Sequence, residues 1–319
     1  MSKMLTGIKP TGEIHLGNYI GAINPIKNMS FQEESSEFYI FIADGHSLTT
    51  HPNKKELLEN SKRVSAAWIS CGINLENTYL YRQSQIPQIF QLAWILSCYA
   101  SKGLLNRNHS YKSIVDENIE AGYDKDYRIN TGIFTYPVLM AADILTFDID
   151  LVPIGEDQNQ HLEISRDIAE RINSNYKNNL FKLPEYQSMS QRSIPGLDGR
   201  KMSKSYNNII PLFCSEKKLR KYIFSIPTNS KDEGESKFPY ESDVIELFQH
   251  FSTRQQYDEL VMSPGGGIVL DKDNTNLLKN RTLPFLLKAK PTTILDRIDD
   301  ISKRPLLDKD NPENTIRSL

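Results

Sequence analysis

Phe38-Tyr39-Ile40-Phe41-Ile42-Ala43 is a near-continuous apolar run of strand length. A strand with one wet face would alternate. A run apolar on both faces suits the buried centre of a parallel sheet. Working outward, Thr78-Tyr79-Leu80-Tyr81-Arg82 is a second such run and Asp150-Leu151-Val152-Pro153-Ile154 a third. Helical periodicity lies between and beyond them. Leu57, Ser61, Val64 and Trp68 recur at three or four, as do Ile164, Ile168, Ile172 and Tyr176, with Ala169 beside them. Strand–helix alternation predicts an α/β fold, a doubly wound parallel sheet of Rossmann-like type. A loop-rich stretch follows from Pro184 to about Asn208, with Pro195, Gly196 and Gly199. Beyond it the pattern is helical: Leu219, Tyr222 and Ile223 form one face, and Val244, Leu247, Phe248 and Phe251 another. The expected division is an α/β domain over 1–211 and an all-helical domain over 212–319.

The bulk properties exclude several classes. The chain has 319 residues, 39% hydrophobic and 24% charged, with a formal net charge of -2. No global positive field argues for nucleic acid, so such a role must rest on local basic patches. Cys71, Cys98 and Cys214 are scattered, without a C-x-x-C pair. Neither a zinc knuckle nor a disulfide framework follows, and no metal site is expected. The N-terminal segment has no apolar core of a leader, and no apolar run is long enough to span a bilayer. A cytoplasmic, reducing location without membrane contact is expected. The tail from Lys303 to Leu319 is polar and broken by proline.

The usual nucleotide fingerprints, G-x-x-x-x-G-K-[ST] and G-x-G-x-x-G, are missing. Two other segments stand out. In Pro10-Thr11-Gly12-Glu13-Ile14-His15-Leu16-Gly17-Asn18, a Pro/Gly turn after a short strand leads into an amphipathic run from Leu16 to Ile26. Backbone N–H groups and a helix's positive end would meet an anion there. Gly17 lets a flat ring or ribose approach the backbone, and His15 and Asn18 can both donate to phosphate. Alone, this segment reads as a capped helix with a surface histidine. The second segment is Lys201-Met202-Ser203-Lys204-Ser205, just after Gly199-Arg200. A mobile loop with two lysines can close on a polyphosphate and place charge where it develops in a transition state. Alone, it reads as a solvated basic loop.

Together the two segments resemble the paired signature of the class I aminoacyl-tRNA synthetases. Within that class the chain is similar to the tryptophanyl-tRNA synthetases in their bacterial form, from Thr6 to about Pro211. The matching blocks are Thr6–Gly12 with His15–Ala22, Tyr136–Leu145, and Val152–Gln158 through His161. The sister tyrosyl enzymes usually carry a small residue where Glu156 stands and differ in Met140-Ala141-Ala142-Asp143. A tyrosine enzyme is therefore the alternative within the class. An inert synthetase-like binding module is the alternative outside it, although both signatures and the Asp143 segment are intact.

The resemblance implies an ATP site of Lys9, Pro10, Thr11, Gly17, Asn18, Gly155, Glu156, Asp157, Ile194, Lys201, Met202, Ser203, Lys204 and Ser205. Glu156 and Asp157 would meet the ribose with Gly155. It implies that Tyr136 and Gln158 hold the substrate ammonium and that His46 lines the pocket, although a structural histidine fits His46 nearly as well. Indole offers one N–H donor and no acceptor. Asp143, at the end of an apolar segment, would accept it, and Met140, one helical turn earlier, would pack on the ring. A buried cation's partner or a helix cap is the other role open to Asp143.

The expected chemistry is attack of the tryptophan carboxylate on the α-phosphate of ATP carried with Mg2+, then transfer to tRNA(Trp). His15, Asn18, Lys201 and Lys204 carry the catalytic charge work, with Lys112 a weaker candidate. The family further implies a homodimer whose C-terminal helices read the anticodon. Lys217, Lys218, Arg220 and Lys221 form a basic cluster for tRNA phosphates or a solvated helix face. Three features depart from the family. Lys9 stands where many relatives have glutamine, three cysteines rule out an iron–sulfur variant, and the chain ends before the family's further helix.

Overall fold

The computed structural model describes residues 2–155, 159–188, 194–227 and 242–253. Five parallel strands form one sheet: β1 (Lys3–Ile8), β2 (Glu37–Ile42), β3 (Thr78–Arg82), β4 (Leu151–Ile154) and β5 (Glu185–Ser188). Their order is β3-β2-β1-β4-β5. Ile8 pairs with Ile42 and Ile42 with Arg82, so those three strands end level. The chain winds outward from β1 to β3, returns to β4 beside β1, and winds outward again to β5.

The helices in chain order begin with α1 (Leu16–Asn18), α2 (Asn24–Gln32), α3 (Asp44–Ser47) and α4 (Lys54–Ser70). Next come α5 (Pro87–Ser97), α6 (Lys102–Leu105), α7 (His109–Glu120), α8 (Thr131–Leu145) and α9 (Asn159–Tyr176). The last described are α10 (Glu216–Ser225) and α11 (Asp243–Gln249). Residues Met1–Thr228 form one compact unit and Asn229–Leu319 a second. In the second unit α11 is the described helix, with Leu247 buried. The rest of the helical domain expected after residue 253 lies outside the described residues.

Burial on both faces explains the continuous apolar run of β2, while β3 at the sheet edge is half-buried. Met4, Phe38, Ile40 and Ile42 pack with Ile23, Ile26, Val64 and Trp68 on one face. Leu5, Phe41 and Val152 pack with Ile144 and Leu162 on the other. A third cluster joins α5, α8 and α9 through Ile89, Leu96, Val138, Ala141, Ile164 and Ile168. Fully burying one such side chain contributes about 1.5–3 kcal/mol, so these faces, rather than the short strands' own hydrogen bonds, hold the sheet in place.

Three local expectations are corrected. The loop-rich stretch after Pro184 contains β5, an edge strand whose sequence Glu185-Tyr186-Gln187-Ser188 carries no apolar run. The amphipathic run from Leu16 is not one α-helix. It starts as α1, widens to a π-helical stretch over Tyr19–Ile23 and resumes as α2. Tyr176, placed on the apolar stripe of α9, is 57% exposed. Its hydroxyl instead bonds that of Tyr99 at 2.9 Å.

Candidate active site

In an open parallel sheet, ligands bind beyond the carboxyl ends of the strands where the winding reverses. Here that point lies between β1 and β4. Past Ile8 the chain runs Lys9-Pro10-Thr11-Gly12, turned by a Thr11 N–H bond to the Lys9 carbonyl at 2.8 Å. Gly12 has φ +60°, and a Cβ there would stand 3.3 Å from Lys204 Cδ. The positive φ favours glycine there, and a side chain would press on Lys204. Past Ile154 comes Gly155, which is buried. Glu156, Asp157 and Gln158 lie outside the described residues.

A cleft of about 290 Å³ opens here, lined by Lys9, Thr11, Gly12, Asn18 and Lys204 among others. The two signature segments, far apart in sequence, form its walls together. Leu16 N–H donates to Ile210 O and Leu212 N–H to Ile14 O, each at 2.9 Å. Gly17 N–H donates to the Met202 thioether sulfur at 3.3 Å. A Cβ on Gly17 would sit 3.1 Å from the His15 ring and 3.7 Å from that sulfur. Gly17 thus allows the loop to dock as well as leaving room beside the backbone.

The His15 backbone N–H donates to Asn18 Oδ1 at 3.1 Å. The Asn18 amide nitrogen is left to donate elsewhere. His15 is 7% exposed. Burial first, then the Lys204 ammonium, push its pKa down to about 4. His15 is therefore neutral near pH 7. The Lys204 ammonium donates to the Thr11 carbonyl, while Lys201 is exposed.

Asn208 organises the loop, a role that no sequence pattern signalled. It is 2% exposed. Its Oδ1 accepts from Ser203 N–H at 2.8 Å, and its Nδ2 donates to Asp198 Oδ1 at 2.6 Å and Lys201 O at 3.1 Å. Met202 N–H donates to Ile194 O at 2.7 Å, and Met202 and Ile194 are both buried. Ser203 Oγ accepts from Ser205 N–H at 3.3 Å, starting the 3₁₀ turn Lys204–Tyr206.

The other side of the site is built on α8. Tyr136, Met140 and Asp143 recur at four and three residues and share one helix face. Lys9 Nζ lies 5.8 Å from the Tyr136 ring centroid, tying this face to the cleft. The Tyr136 hydroxyl donates to Asn108 Oδ1 at 3.1 Å and also bonds His161 Nε2. Asn108 is fully buried and His161 4% exposed.

Asp143 has no exposure. It stands inside α8, so it is not a helix cap. Its Oδ2 lies 2.9 Å from His46 Nε2, and Gln83 Nε2 lies 2.8 and 3.0 Å from its two oxygens. Burial pushes its pKa up, while the hydrogen bonds from His46 and Gln83 oppose that shift. A carboxylate has about four lone-pair sites, and the three contacts from His46 and Gln83 leave one of them without a partner. The Tyr81 hydroxyl is buried without a partner among the described residues, and burial, then the Asp143 charge, raise its pKa strongly.

Sequence reasoning passed over Gln83, Tyr81, Asn108 and Asn208. Gln83 had a usable signal, since a polar residue directly after a parallel strand sits where such sheets bind ligands.

The model of the tRNA synthetases class I (W and Y) matches residues 1–279. A tryptophan–tRNA ligase of Xylella fastidiosa is 41% identical over 304 residues, 95% of this chain and 68% of the relative. One of Neisseria meningitidis is 43% identical, over 92% of this chain and 89% of the relative. Among solved structures, the tryptophanyl-tRNA synthetase of Campylobacter jejuni complexed with ADP and tryptophan has a TM-score of 0.69 and 39% identity. It covers 80% of this chain and 76% of that one. With its signatures joined at the switch point of the sheet, the chain belongs to the class I tRNA synthetase family of the tryptophan and tyrosine enzymes.

Proposed function

We propose that the chain is a tryptophan–tRNA ligase. It activates L-tryptophan with Mg-ATP to tryptophanyl-adenylate and pyrophosphate, then transfers tryptophan to tRNA(Trp). The observation that carries this reading is the meeting of both signatures in one cleft beside the α8 face. The cationic cleft is walled by both signatures, and through Lys9 and Tyr136 it adjoins a helix face bearing the buried acceptor Asp143.

In this reading the tryptophan carboxylate attacks the α-phosphate in line, and the bond to pyrophosphate breaks. A terminal ribose hydroxyl of tRNA then attacks the adenylate carbonyl, and AMP leaves. Positioning and charge stabilisation account for the rate. Lys201 and Lys204 meet the charge on the leaving pyrophosphate. His15 and Asn18 donate to phosphate oxygens, while Pro10 and Thr11 shape the turn beneath them. Gly155, Glu156 and Asp157 take the ribose. Ile194 and Met202, with Ser203 and Ser205, place the loop around the nucleotide. Tyr136 and Gln158 hold the ammonium, Met140 packs on the indole, and Asp143 accepts its N–H beside His46. Mg2+ arrives on the ATP phosphates, as that ion commonly does.

The compact unit Met1–Thr228, which takes in the expected 1–211, serves as the catalytic domain, and the helical region after it reads the anticodon. Lys217, Lys218, Arg220 and Lys221 all lie exposed on α10, where they suit tRNA phosphates. No helix among the described residues is long and apolar enough to cross a membrane, and the proposed setting is the cytoplasm. Incubation with ATP, tryptophan and a bacterial tRNA(Trp) transcript is expected to yield charged tRNA. Adenylate formation without charging of that transcript would reject the transfer half of this reading.

A homodimer is part of the same proposal. On α5, Trp94 is 73% exposed, Ile95 51% and Phe90 38%. An exposed apolar cluster of this kind marks an association surface. Sedimentation is expected to show a dimer for the native chain and a monomer for Trp94→Glu. A native monomer would contradict it.

A further inference from the structure

Gln83, directly after β3, is a polar side chain with no exposure, and both ends of its amide are used. Oε1 accepts from the His46 backbone N–H at 3.1 Å, and Nε2 lies 2.8 and 3.0 Å from the Asp143 oxygens. A backbone N–H can only donate, so it fixes which way the amide lies and sets Nε2 against the carboxylate. Gly45 keeps this seat open, since a Cβ there would stand 2.7 Å from Oε1.

Burial favours a protonated Asp143, which would present a hydroxyl donor. Donors aimed at the carboxylate favour the ionised, acceptor-only form. The titratable groups facing Asp143 are His46 from α3, at 2.9 Å, and Tyr81 from β3. Whether His46 donates depends on its tautomer. The Gln83 amide does not titrate, so its protons are in place at every pH.

We infer that Gln83 is a positioning residue for tryptophan selection: it holds Asp143 as an oriented, ionised acceptor, so that the end of the pocket offers the indole N–H an acceptor and no competing donor. This rests on Asp143 being the indole anchor.

Two variants test it by equilibrium titration of tryptophan across about pH 5 to 9, spanning the range over which burial can hold a carboxyl protonated. Gln83→Met keeps the length of the side chain and removes the donors. It is expected to weaken tryptophan binding about tenfold near neutral pH, the loss of one charge-assisted hydrogen bond. It should also move the acid-side loss of binding to higher pH, with the KM for ATP unchanged. Gln83→Glu keeps the acceptor for the His46 N–H but sets a second carboxylate against Asp143. Its expected defect is deepest at alkaline pH and eases toward acid pH, where a shared proton bridges the pair. If both variants keep native affinity and pH profile while Asp143→Ala still weakens tryptophan binding, the inference is overturned and the anchor stands. A loss uniform across pH, with a lowered Tm, would also overturn it, because that is a packing defect. Native tryptophan affinity in a folded Asp143→Ala protein overturns both.

Discussion

Replacing Asp143 with alanine is expected to weaken tryptophan binding roughly 5- to 150-fold, the loss of about 1–3 kcal/mol that follows from leaving the bound indole N–H desolvated and unpaired. ATP binding should stay near native, because the cleft lined by Thr11, Gly12, Asn18 and Lys204 does not include Asp143. The substitution has a second cost. His46 Nε2 and Gln83 Nε2 both face the carboxylate in a fully buried site. Alanine orphans them, so thermal stability should also fall. Asp143→Asn separates the effects, since it keeps the volume and one acceptor. A 1-methyl-tryptophan probe sharpens the test. The native protein should reject it strongly, and Asp143→Ala should narrow the gap. If the folded alanine variant binds tryptophan and the methylated analogue with native affinities, Asp143 is not the anchor.

The loop lysines are expected to act on rate rather than on tryptophan binding. Lys201→Ala and Lys204→Ala should each slow adenylate formation about ten- to a hundredfold, corresponding to about 1.5–3 kcal/mol for a charge-assisted contact made to the developing phosphate charge. Tryptophan affinity without ATP should be unchanged, because a contact realised in the transition state changes kcat and not ground-state binding. Lys204 donates to the Thr11 carbonyl, so a contact to phosphate would share or replace that partner. Lys201 is exposed. Equal losses in tryptophan affinity, measured by titration without nucleotide, would show that the loop serves the amino-acid side.

What could be read from the sequence follows from where each residue's signal originates. Thr78–Arg82 is a strand over the span expected, and the run from Phe38 falls on β2 displaced by one residue. β2 is largely buried and carries its signal at nearly every position, whereas β3 is a half-buried edge strand that was legible from its aromatic and aliphatic side chains. Ala43 leaves the strand because its backbone turns, at φ -79° and ψ 56°, to start α3. The edge strand β5 has polar residues and was invisible. The π-helical turn at Tyr19–Ile23 was equally hidden, since one extra residue in a turn leaves no mark on apolar spacing. The two signatures were legible as motifs. Their joining through Gly17 and Met202 was not, because it is a contact between distant segments. Tyr136, Met140 and Asp143 could be placed on one face from helical spacing alone. The seat of Asp143 between His46 and Gln83 required β2 and β3 to end level, a matter of register that no linear pattern states.

The central claim is that one site joins ATP to tryptophan and to no other amino acid. Amino-acid-dependent ATP–pyrophosphate exchange, run separately with each proteinogenic amino acid and Mg2+, tests it most directly. Exchange should be strong with tryptophan and at background with the rest, tyrosine included. Strong exchange with tyrosine and none with tryptophan would contradict the account.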